Sequence, residues 1–207
     1  MNANTLKQTV AGPAGAIECA IDAPTGIEPR GTVVVCHPHP QHGGTMDNKV
    51  VQTLARAFVQ LGWRCVRFNF RGIGGSQGAW DDGVGEVDDA LAVIAAYATP
   101  SFMLAGFSFG AFVASQAATR LPEASKPQRM VLVGPSTQRQ TMANVPADTV
   151  VIHGEIDDVV PLSATFDWAR PQSLPVIVLP GVGHFFHGQL GLLKNVVVQE
   201  LTPRVPL

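Results

Sequence analysis

Two things are missing from this chain of 207 residues: a run of basic side chains, and an apolar stretch near the roughly 20 residues that a membrane helix needs. The formal net charge is -2. A charge of that sign with no basic run argues against nucleic acid or an anionic membrane as the main partner. The opening decapeptide MNANTLKQTV is too polar for a signal peptide, so the expected location is cytoplasmic. Charged residues make up only 14%, against 46% hydrophobic, which excludes disorder as a description of the whole. Cysteine is scarce. Cys19, Cys36 and Cys65 are odd in number, far apart and form no CxxC pair, so they read as small buried hydrophobes in strands.

The length suits a single domain over 1–207, and short β-branched runs alternate with longer helical patterns along it. Leu6–Ala11 and Ala16–Ile21 flank Gly12-Pro13-Ala14-Gly15 and read as an antiparallel hairpin. Strands are then expected at Thr32–Cys36, Arg64–Phe68, Ser101–Ala105, Met130–Val133, Thr149–Ile152 and Val176–Leu179. Helices are expected at Asn48–Leu61, Glu86–Tyr97, Ala111–Leu121, Leu162–Trp168 and Gln189–Leu201. This order predicts an α/β fold with a mostly parallel, eight-stranded sheet, an N-terminal hairpin and helices on both faces. In such sheets ligands bind beyond the carboxyl ends of the strands. The segments just after the strands therefore carry the functional reading.

Gly106-Phe107-Ser108-Phe109-Gly110 stands between an expected strand and an expected helix. A tight strand-to-helix turn of this G-x-S-x-G kind exposes a serine hydroxyl, and it needs glycine where chains come close. Ser108 is the candidate nucleophile. HGEIDDVVP comes after the strand at 149–152, and a carboxylate there could orient a histidine. Asp157 is preferred and Asp158 is the alternative; either could instead cap the next helix. GVGHFFHG comes after the strand at 176–179 and offers His184 or His187 as general base. The chain order Ser108, Asp157, His184 is the order of the α/β-hydrolase fold.

HPHPQHGGT comes after the strand at 32–36. An acyl-transfer site needs N–H donors aimed at an oxyanion. Pro38 and Pro40 have no N–H, which leaves His39 as the loop's donor, with the N–H of Phe109 as its partner. The same segment allows a competing reading. His37, His39 and His42 have the histidine spacing of the metallo-β-lactamase HxHxDH motif, although Gln41 replaces the acid. A third reading is a catalytically silent binding protein of the same fold. Arg71 lies in FNFRGIGGSQG, either to contact a substrate carboxylate or, as preferred, to tie its loop to the acidic stretch Asp81–Asp89. GIGGSQG lacks the lysine of a P-loop, which weakens a nucleotide reading.

The blocks HPHPQHGGTMDNKVV, FNFRGIGGSQG, GFSFG, HGEIDDVVP and GVGHFFHG resemble those of small, lidless bacterial α/β hydrolases akin to the dienelactone-hydrolase group. The resemblance runs from about Thr32 to Leu201. It implies Ser108 as nucleophile, Asp157 as acid, His184 as base, and an ester, thioester or lactone substrate. Dienelactone hydrolases proper carry cysteine where this chain has Ser108, so their particular substrate is not implied. Only fifteen residues, Gly134–Asp148, separate two strands between which larger hydrolases insert a lid. An open site for short acyl groups is expected, with a small-molecule substrate, no cofactor, and a homodimer left open by the exposed sheet edges.

Overall fold

A computed structural model describes residues 5–202. The first four residues, part of the segment read above as too polar for a signal peptide, and residues 203–207 lie outside the described residues. Two strands, β1 (Leu6–Gly12) and β2 (Gly15–Asp22), form the opening hairpin, with Gly12 paired to Gly15 around Pro13-Ala14. The chain then alternates: β3 (Thr32–Cys36), α1 (Lys49–Gln60), β4 (Arg64–Phe68), α2 (Val84–Tyr97), β5 (Phe102–Phe107) and α3 (Phe109–Arg120). It continues through β6 (Arg129–Val133), β7 (Val150–Gly154), α4 (Leu162–Ala169), β8 (Val176–Leu179) and α5 (Leu190–Leu201).

The eight strands make one sheet in the order β1-β2-β4-β3-β5-β6-β7-β8. The β1–β2 and β2–β4 pairs are antiparallel, and every later pair is parallel. All five residues of β3 are buried, as a central parallel strand covered on both faces requires. Side chains alternate strictly between those faces. Val34, Cys36, Phe68 and Leu104 pack with α2 and α3, whereas Val33, Val35, Cys65 and Ala105 pack with α1 and α5. The three cysteines are free and buried within these layers, and burial pushes the Cys19 thiol up to about 12.

The expected element bounds move in two places that matter for the site. Helix α2 begins at Val84, two residues before Glu86. The Glu86 carboxylate accepts the N–H of Gly83 at 2.8 Å and of Asp81 at 3.1 Å, so it caps the helix that it had been expected to open. Helix α3 begins at Phe109, directly after Ser108, instead of at Ala111. No α-helix lies between β6 and β7 among the described residues, so the carboxyl ends of the strands carry no lid from that connection. No helix of the described residues is long and apolar enough to cross a membrane.

Candidate active site

Ser108 links the end of β5 to the start of α3 with φ 56 and ψ -119, a conformation that a side chain seldom adopts. Its surroundings hold it there. Its N–H donates to the Val133 carbonyl at 2.9 Å, and its own carbonyl accepts from Ala111 at 2.9 Å. Gly106 and Gly110 are required by space: a Cβ on Gly106 would strike the Gly110 oxygen, and one on Gly110 would strike the Cys36 oxygen. The second contact also shows that the loop leaving β3 runs directly against the first turn of α3.

His184 sits on the turn after β8. That turn is anchored by the buried ring of Phe186, whose N–H donates to the Gly183 carbonyl at 3.1 Å. The imidazole lies between two partners. Its Nε2 is 3.0 Å from Ser108 Oγ, and its Nδ1 is 2.7 Å from Asp157 Oδ2. With Nδ1–H donating to the carboxylate, Nε2 is left to accept the serine proton. Asp157 is buried and well held. Its Oδ1 accepts from the N–H groups of Val159 at 2.9 Å and Val160 at 2.7 Å. Burial works to raise the Asp157 pKa, but the hydrogen bonds from His184 and from Val160 and Val159 outweigh it and hold the carboxyl below its ordinary value.

The structure thus separates the neighbouring candidates. Asp158 is exposed and has no place in this chain of contacts. Neither aspartate caps α4, whose N-cap is Pro161 without a side-chain bond. His187 is exposed and packs against the ring of Phe185.

The histidines after β3 do not converge on a common point. His37 is buried, its Nδ1 donates to the Pro38 carbonyl at 2.6 Å, and its Nε2 accepts the Phe70 N–H at 3.1 Å. Neither ring nitrogen of His37 is left to ligate a metal. Burial also pushes its pKa down to about 3, so it is neutral. His42 is exposed, and its ring meets that of His39 edge-on. Among the described residues no group of three or more histidine, cysteine or acidic side chains could hold a metal ion. The metal reading of His37, His39 and His42 is therefore corrected: the spacing in sequence becomes a folded loop in which His37 is a structural brace.

That loop is tight around His39. The His39 carbonyl accepts from the N–H groups of His42 at 3.1 Å and Gly44 at 3.0 Å. Its ring centroid is 5.1 Å from that of Phe109. Phe109 opens α3, so its N–H belongs to the first turn that a helix leaves without an internal partner. Arg71 is committed elsewhere. Its Nε and Nη2 donate to the two oxygens of Asp89 at 3.0 and 2.8 Å, and Asp89 also accepts the Arg71 N–H at 2.9 Å. It ties its loop to α2, as preferred, and does not line the cleft beside Ser108. That cleft has a volume of about 240 Å³ and is open to one side. Phe109, Phe185, Val159 and Val160 supply its apolar wall.

Residues 27–163 match the model of the family described as serine aminopeptidase, S33. The chain belongs to this α/β-hydrolase family. It is 39% identical to an α/β serine hydrolase homologue from Coxiella burnetii, with a TM-score of 0.86 over 95% of this chain and 97% of that one. It is 35% identical to an α/β serine hydrolase without lid from Xanthomonas campestris, with a TM-score of 0.87 over 100% of this chain and 99% of that one. An uncharacterized protein of Rickettsia prowazekii is 33% identical over 171 residues, which is 74% of this chain and 71% of the relative. The family match stops before His184, so the placing of that histidine in this α/β hydrolase rests on the geometry above.

Two groups beside the site were not singled out from sequence. His153, within the HGEIDDVVP block, is fully buried. Its Nε2 lies 2.9 Å from the Val160 carbonyl and 3.3 Å from Asp157 Oδ2, and its Nδ1 is 3.2 Å from Thr165 Oγ1. Burial lowers its pKa, and its Nε2 approaches Oδ2, the same Asp157 oxygen that faces His184 Nδ1. Its place directly after the strand expected at Thr149–Ile152 was the available signal, and that place does not give it a role. The other is Arg139 on the β6–β7 connection, which lines the cleft; nothing in its local sequence marks it.

Proposed function

We propose that this protein hydrolyses short-chain carboxylic esters, or the related thioesters and lactones, through an acyl-enzyme. Ser108 is the nucleophile, His184 the general base and acid, and Asp157 the carboxylate that orients and stabilises the imidazolium. The unbroken contact chain Ser108–His184–Asp157 carries this reading. His184 Nε2 takes the serine proton as Oγ attacks the acyl carbon. The N–H groups of His39 and Phe109 receive the negative oxygen, and His184 returns the proton to the leaving alcohol. Water enters the emptied half of the open cleft and releases the acid by the same steps in reverse.

Esters are favoured over the aminopeptidase substrates of the family's description by the cleft's charge. A free amino terminus needs a carboxylate partner, and none of the residues lining the cleft is aspartate or glutamate. Short acyl groups are favoured by size, because an open cleft of about 240 Å³ cannot enclose a long chain. Full burial would stabilise by about 0.8 kcal/mol per methylene, and carbons left in water forgo it. The purified protein is expected to hydrolyse nitrophenyl esters, with kcat/KM highest for roughly two to six acyl carbons. Ser108→Ala should lower kcat by about four to six orders of magnitude with the fold intact by circular dichroism. More than a tenth of the original rate in that variant would remove Ser108 from the mechanism.

A further inference from the structure

We infer that the substrate carries a carboxylate near its scissile acyl bond and that Arg139 binds it; the inference rests on the ester-hydrolase reading above. The arginines of this chain are almost all spoken for. Arg67, Arg71, Arg120, Arg129 and Arg170 pair with aspartates. Arg30, Arg56 and Arg64 donate to carbonyl or hydroxyl oxygens. Among the described arginines, Arg139 alone makes no ion pair and no side-chain hydrogen bond. It is also the one that lines the cleft holding Ser108 and His184.

The rest of the cleft agrees. The chain has more acidic than basic residues, 16 against 14, yet no acid lines this cleft. Asp157 stands behind His184 with both oxygens already engaged. His42 and Asn48 add donors to the lining, and His39 lines it too, with a buried Nδ1 that has no hydrogen-bond partner. A guanidinium offers a planar fork that fits a carboxylate with two parallel bonds, and its site here has no internal anion competing for it. The ligand class that satisfies the whole set is an ester with an anionic end: a half-ester of a dicarboxylic acid, or an acyl ester of a hydroxy acid. A charge-assisted pair of this kind favours the anionic ester by about ten- to a hundredfold.

The test has two arms, followed by alkali titration. One compares monoethyl adipate with ethyl hexanoate, and the other compares O-butyryl glycolate with ethyl butyrate. The readout is the ratio of kcat/KM for the anionic ester to that for its neutral counterpart, in the original protein, Arg139→Gln and Arg139→Lys. The expected result is a preference of tenfold or more in one arm, lost by about tenfold in Arg139→Gln and kept in part by Arg139→Lys. No preference in either arm, or a ratio that changes less than threefold in Arg139→Gln, overturns the assignment. Should no ester of either kind be hydrolysed, the hydrolase reading falls by itself. Calorimetric binding of adipate to the original protein and to Arg139→Gln then decides the carboxylate site, and equal binding overturns it.

Discussion

The loop after β3 carries His37, His39 and His42, and the loop after β8 carries His184 and His187. Both leave the carboxyl end of a parallel strand, and both border the same cleft. His37 and His184 are both buried, but their ring nitrogens differ. His37 spends both on main-chain groups, Pro38 and Phe70, and so joins two loops. His184 spends one on Asp157 and turns the other to the hydroxyl of Ser108. Burial alone therefore does not mark a reactive histidine. What sets His184 apart is a ring nitrogen turned to a hydroxyl with a carboxylate at the other nitrogen, the arrangement that the proposed mechanism needs.

The largest expected effect breaks this comparison at its reactive end. His184→Ala should lower kcat by about four to six orders of magnitude, whereas His37→Ala should lower it less than tenfold. His37→Ala should instead lower the unfolding free energy by about 2 kcal/mol or more, because the Phe70 N–H and Pro38 carbonyl lose their buried partner. Urea titration beside ester hydrolysis separates the two effects, and a crossed result would reverse the roles.

A second contrast lies between adjacent acids. Asp157→Asn should cost about four orders of magnitude in kcat, since the amide supports the wrong tautomer of His184. Exposed Asp158→Asn should change kcat less than threefold; steady-state kinetics that rank the two the other way would make Asp158 the acid.

The third effect is on stability against pH. His37 has a folded pKa of about 3, below the unfolded value of about 6.5. Between these values the unfolded chain binds the proton that the folded one refuses, so folded stability is lost as pH falls through this window. His153 is shifted in the same direction by burial. Melting temperatures from pH 7 down to pH 4 should therefore fall, and fall less steeply in His37→Gln. A slope unchanged by that substitution would show that His37 is not the group titrating.

The smallest expected effect is none at all. Chelators should leave ester hydrolysis unchanged, because His37 has no nitrogen free for a metal. Loss of activity restored by added zinc would return the loop after β3 to the centre of the mechanism.

The turn at Ser108 was legible because its signal is local. The glycines at 106 and 110 stand where a Cβ would strike main chain, and the strand before and helix after them have their own periodicities. Spacing left the choice between Asp157 and Asp158 open, and in the fold it is Asp157 that meets His184. The loop after β7 is pinned to the one after β8, Ile156 donating to the Val182 carbonyl at 3.1 Å, and this turns Asp157 inward. Arg71 was legible as a tie only because an acidic stretch comes soon after it in sequence. His153 and Arg139 were not legible, since the role of one depends on what surrounds it and that of the other on what does not.

By itself the sequence determined the alternation of strands and helices, the hairpin at the start, the serine turn and the shortness of the β6–β7 connection. These arise from periodicity, glycine placement and length, which act over a few residues at a time. The resemblance had pointed to His184, but only the tertiary structure brings that ring to the serine. Ser108 and His184 are 76 positions apart, and they meet because β5, β6, β7 and β8 lie side by side in parallel, with their carboxyl ends at one edge of the sheet. The partners of a ring nitrogen are set by that arrangement, and no pattern within a single segment can supply them.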